Sequence, residues 1–157
     1  MKTEIKVATF LANLPLRVFG IVSNDLLLAI PEQDDLRSEA RVILQVVLDF
    51  AVSDIARYHL MFTRAIPGFE PSPESYAPSV EAVKRVLSRF AHFGVTDTAA
   101  VDLWTGIVAG LASQQIANEP DGDRWIRLGD ETVDMYCNHL EKSGRIKRPR
   151  PAKGAKR

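Results

Sequence analysis

Residues 36–62 read LRSEARVILQVVLDFAVSDIARYHLMF, and the spacing of their apolar side chains decides the fold class. Leu36, Ala40, Ile43, Val47 and Phe50 recur at threes and fours, and so do Leu44, Leu48, Ala51, Ile55, Tyr58 and Phe62. That period belongs to an α-helix, and two adjacent stripes predict a wide buried face. The Pro-free span from Glu32 to Ile66 is long for one helix, and Ser53-Asp54 resembles an internal N-cap. Two helices meeting near residue 53 are therefore expected.

The same pattern continues outward. Pro67, Gly68, Pro71 and Pro73 mark a loop, with Ser72 as a cap and Pro73 at the first position of a helix running to about Phe93. Gly94 ends that helix, and Asp97 opens another to about Asn118, with Val101, Trp104, Val108 and Leu111 on one face. Its flank Gly106, Gly110, Ser113, Ala117 is all small and invites close approach of another helix. After the turn Pro120-Asp121-Gly122, Asp123 is the expected N-cap of a last helix to about Glu141. Thr3 to Ile30 is apolar and read as helical, interrupted near Pro15. Alternating β-branched runs bounded by hairpin turns are missing, so the fold is read as all-α, a helical bundle.

The chain of 157 residues is read as one helical domain over 1–144 followed by a disordered basic tail over 145–157. A net charge of zero hides an asymmetry. The tail carries seven basic side chains and no acid, leaving 13 bases against 20 acids in the body. An acidic body does not suit nucleic acid. The charge-free stretch Val7 to Leu16 is too short for a membrane span, so no membrane role and a cytoplasmic location are expected. The single cysteine, Cys137, makes no internal disulfide.

Enzyme signatures are sparse. His59, His92 and His139 fall on three predicted helices and form no ligand pair by spacing, so neither a metal site nor a cofactor is expected. His59, in Tyr58-His59-Leu60-Met61-Phe62, could act as acid or base in a helical-bundle enzyme, but a packed structural histidine is the favoured reading, and no catalytic residue is assigned. Asp130, Glu131 and Asp134 read as a solvated face. The corner Phe90 to Val101 imitates a helix-turn-helix, but Asp97, Thr98 and Asp102 lead the second helix and would repel phosphate. The tail could serve an adaptor through non-specific electrostatics. The helices Trp104–Ala117 and Trp125–Leu140 carry apolar or small residues on more than one side, which fits either a central place in the monomer or a four-helix dimer interface.

Several segments together resemble a known pattern: Phe50 to Phe62, Ile66-Pro67-Gly68-Phe69-Glu70-Pro71-Ser72, Trp104-Thr105-Gly106 within Asp102 to Leu111, Asn118-Glu119-Pro120-Asp121-Gly122-Asp123-Arg124-Trp125, and Asp130 to Leu140. Over roughly residues 13–141 the chain resembles the C-terminal domain of TetR/AcrR-type transcriptional regulators. The resemblance implies a ligand-sensing, homodimeric domain whose last two long helices pair with those of a second copy. It implies Tyr58, His59, Phe62, Phe90 and Trp104 as the lining of a cavity for a small apolar ligand. It implies Ala109, Gly110, Ser113, Ala117, Val133, Tyr136, Cys137 and Leu140 as the dimer interface. Members of the family also carry an N-terminal three-helix DNA-binding unit, which residues 1–12 are too few to hold, so DNA binding is not carried over and DNA is a partner only where such a unit precedes this chain.

Overall fold

In a computed structural model of the protein, residues 28–62 and 72–146 are described, and they form an all-α bundle with no strand among them. The helices are α1 (Leu36–Ser53), α2 (Ile55–Phe62), α3 (Pro73–His92), α4 (Thr98–Asn118) and α5 (Gly129–Lys142), with a 3-10 turn over Ile126–Leu128.

Local chemistry sets most of the boundaries. Asp35 is extended and its carboxylate accepts from the Arg37 and Ser38 N–H groups at 2.8 and 3.0 Å, which satisfies two donors that the first turn of α1 leaves open. Asp54 interrupts the α1–α2 run where the two helices were expected to meet. Its N–H donates to the Phe50 carbonyl, and its own carbonyl accepts from the Tyr58 N–H. Pro73 does open α3, and α3 stops at Gly94, whose φ of 85° lets the Val95 N–H reach back to the Phe90 carbonyl at 3.1 Å. Asp97 caps α4 through the Ala99 N–H.

The last helix departs from expectation at its start. A helix from Asp123 was predicted, but the segment runs through a turn and the 3-10 stretch before α5 begins at Gly129. Local capping by Asp123 is replaced by a side chain from another helix, Gln115. The other end also extends further than the sequence reading placed it. Gly144, at φ 71°, turns the chain so that the Arg145 N–H bonds the Leu140 carbonyl. Arg145 then pairs with Asp97 at 3.1 Å and Ile146 packs on the core, so the first two residues of the expected tail belong to the fold. Residues 147–157 and the apolar segment 1–27 lie outside the described residues, as does the Pro67–Pro71 loop.

Helix α1 is the centre of the bundle. Its Leu36, Ala40, Ile43, Leu44, Leu48 and Ala51 are buried against α4 and α5. Its other flank, Val42 and Val46, joins Ile30, Ala82 and Val86 in a smaller cluster toward α3. The described residues of both apolar stripes thus serve the main core, and Val42 and Val46, which belong to neither stripe, serve the smaller one. Arg37 crosses from α1 to Asp134, Asn138 and Glu141 of α5, and Arg41 to Asp130 and Asp134, which sets the register of these helices along their polar edges. Between α1 and α3, Glu39 and Arg89 form an ion pair with both side chains largely removed from solvent. Arg89 also donates to the Ile30 and Pro31 carbonyls, both at 3.0 Å, and so holds the entering chain.

Candidate functional site

The residues expected around a cavity go to two environments. Tyr58, Phe90 and Trp104 are buried in the main core. Phe90 and Trp104 lie with ring centroids 5.5 Å apart, and Tyr136 closes a trio with Trp104 at 5.0 Å and Phe90 at 6.4 Å. The tilted rings pack on one another as aromatic pairs prefer, so side chains occupy the centre they define. The Tyr136 hydroxyl donates to the Ala100 carbonyl at 3.0 Å, and the Tyr58 hydroxyl to Ala109 at 3.4 Å. His59 is exposed on α2, edge-on to Tyr58. Phe62 is the last residue of α2, and its side chain lies outside the described set.

The eight interface candidates likewise divide. Val133, Tyr136, Cys137 and Leu140 of α5 are completely enclosed within one copy of the chain, facing its own α1 and α4. On α4, Gly110, Ser113 and Ala117 are exposed and Ala109 is half-buried. Leu103, 39% exposed, and Gly106 extend that outward face toward the helix N-terminus. A Cβ built on Gly106 or Gly110 meets no atom of the described residues within 4 Å. Neither glycine is therefore required for close approach among the described residues, and Gly122, where a Cβ would strike Glu119, contrasts with them.

Burial governs the chemistry of the enclosed α5 residues. Desolvation raises the Cys137 thiol from its ordinary value near 9 to about 11, against the lowering effect of the nearby Arg37 guanidinium. The Tyr136 phenol is raised for the same reason, with the neighbouring Cys137 adding to the effect. A thiol held protonated in this way is a packed apolar group and a poor nucleophile.

An open groove of about 420 Å³ lies elsewhere, between α1 and the start of α5. Arg41, Val42, Leu44 and Gln45 line one side, and Ile126, Arg127, Gly129 and Asp130 the other. The second wall is shaped by Gln115, which is fully buried on α4. Its amide nitrogen donates to the Glu119 and Gly122 carbonyls, and its carbonyl oxygen accepts from the Trp125 and Ile126 N–H groups at 2.9 and 3.3 Å. One side chain thus ties both halves of the loop to α4 and meets the part-buried Trp125 and Ile126 N–H groups. The Glu119 carboxylate accepts the Arg124 N–H at 3.0 Å and braces the same loop. Sequence reasoning missed this groove. The signal available was the pairing of Gln115 with the polar, Gly-containing turn that follows it, but the partner wall comes from α1, some eighty residues earlier.

Among the described residues, no group of three or more His, Cys, Asp or Glu side chains could hold a metal ion, and no helix is long and apolar enough to cross a membrane. His59, His92 and His139 are all exposed on separate helices. No family model, curated protein or solved structure matches this chain.

Proposed function

We propose that the chain is a dimerising regulatory domain of the ligand-sensing kind implied by its resemblance to the C-terminal domains of TetR/AcrR regulators. The observation that carries the reading is the outward face of α4. Leu103, Gly106, Gly110, Ser113 and Ala117 lie on the solvent side of a helix that is apolar or small almost all round, while its inner face already packs on α1 and α5. A surface helix that needs only one buried face carries charge on the other. Here Asp102 is the only charged side chain within α4, and the small residues leave room for a second backbone to approach. The second copy would therefore sit on α4, with Gly110, Ser113 and Ala117 at the contact. Val133, Tyr136, Cys137 and Leu140 would support that contact from inside the monomer without touching the partner.

Gly110→Arg tests this directly. No atom of the described residues lies within 4 Å of the added Cβ, and an Arg is a better helix former than a Gly, so the described fold tolerates the change. The parent protein is expected to sediment as a dimer at micromolar concentration, and Gly110→Arg as a monomer with the same helical circular dichroism. A parent chain that stays monomeric at high micromolar concentration removes the basis of this reading.

A further inference from the structure

From the groove between α1 and the 3-10 turn, we infer that the protein binds small organic anions with an aliphatic body, of the medium-chain carboxylate class. The site is apart from the α4 face and does not depend on self-association.

Three features specify the class. The groove, about 420 Å³ and open to solvent, has the size of a small-molecule site, and its apolar part comes from half-buried Val42 and Ile126 with the enclosed Leu44 behind them. Gly129 contributes no side chain, so the floor stays open where any other residue would occupy it. A Cβ there would stand 3.4 Å from the Leu44 Cδ2, in ordinary contact, and the φ of −56° permits a side chain. The rim is cationic by one charge, with Arg41 and Arg127 set against Asp130. Arg41 is neutralised, because its Nε donates to Asp130 at 2.8 Å and its Nη2 to Asp134 at 3.3 Å. Arg127 pairs with no carboxylate among the described residues. Its Nε donates to the Arg124 carbonyl at 3.2 Å, which fixes the start of the side chain and leaves both terminal nitrogens to meet a ligand. A carboxylate can take those two donors side by side.

The wall carrying Arg127 is also held in place before any ligand arrives. Gln115 fixes the Trp125 and Ile126 backbone from within α4, so Gln115 is a positioning residue for the groove. A rigid wall lowers the ordering cost of binding. Neutral apolar molecules would fill the floor but leave the guanidinium unused, and small inorganic anions would meet the guanidinium but leave the floor wet.

Octanoate is the probe, with 1-octanol as its neutral counterpart, titrated into the full chain while backbone amide resonances are followed. Saturable shifts are expected at residues 41–45 and 124–130, with octanol binding about tenfold more weakly. Arg127→Met, at an exposed position, is expected to weaken octanoate about tenfold and to bring it level with octanol. Gly129→Leu is expected to abolish the shifts by filling the floor, and the exposed Arg127 variant decides the matter if Gly129→Leu does not fold. The proposal is overturned if millimolar octanoate gives no saturable shift, or if Arg127→Met binds like the parent. Shifts centred on the exposed Tyr76, Val83 and Leu87 of α3 overturn it as well, since they would place the probe on a different surface.

Discussion

At the scale of single residues, the enclosed thiol of Cys137 makes stability depend on pH in a calculable direction. Its folded value is about 11, raised from an ordinary value near 9, so the unfolded chain loses this proton first as pH rises. A raised value contributes stability that is complete below about pH 9 and is lost as pH climbs through 11. Two units correspond to about 2–3 kcal/mol. Urea denaturation at pH 8 and pH 10.5 should show the parent losing more stability than Cys137→Ala, while Tyr136, raised in the same direction, pulls both downward. Equal losses in the two proteins would mean that Cys137 is solvated. The same burial predicts that iodoacetamide leaves the native thiol untouched at pH 8 and labels it only in denaturant.

At the scale of elements, the Glu39–Arg89 pair is where α1, α3 and the entering chain are tied together. Glu39 is 1% exposed, so removing Arg89 strands its carboxylate in the interior, and removing Glu39 takes a buried carboxylate from a largely enclosed guanidinium. Glu39→Ala is expected to cost about 3–5 kcal/mol, and Glu39→Leu with Arg89→Met to recover most of it by apolar packing. Urea midpoints of the single and double variants measure this. A single variant within about 1 kcal/mol of the parent would show the pair to be solvated. The helices themselves were largely legible in the sequence because their ends carry local chemistry: Asp35, Pro73, Gly94 and Asp97 act within a few residues of themselves. The start of α5 was not legible, because its preceding turn is capped by Gln115 from another helix. The buried pair was not legible either, since Glu39 and Arg89 are fifty residues apart and each reads as an ordinary charged position on an amphipathic helix. Periodicity also left open what the α5 stripe Val133, Tyr136, Cys137, Leu140 faces. A buried stripe looks the same in sequence whether its neighbour is α1 of the same chain or a helix of a second copy.

At the scale of the whole molecule, one segment of α4 touches both proposed surfaces. Ser113 and Ala117 face outward, and Gln115 between them points inward and holds the wall of the groove. Any rearrangement of residues 119–128 on ligand binding must act on the Gln115 amide and hence on the last two turns of α4, where a second copy would sit. If the groove senses for the dimer, linkage makes the effect reciprocal: octanoate must change the dimer dissociation constant by the factor by which dimerisation changes octanoate affinity. A factor of about 5–150 is the usual range for such coupling. Sedimentation equilibrium with and without saturating octanoate measures one side, and octanoate affinity of the parent against Gly110→Arg measures the other. Gln115→Met keeps the side chain's size but cannot reproduce its hydrogen bonds, so it should reduce both factors together toward one, provided that its helical circular dichroism is retained. A dimer constant unmoved by octanoate would separate the groove from the regulatory reading and leave two independent surfaces on one bundle. Equal, nonidentity factors that collapse in Gln115→Met would make α4 the element through which one surface controls the other.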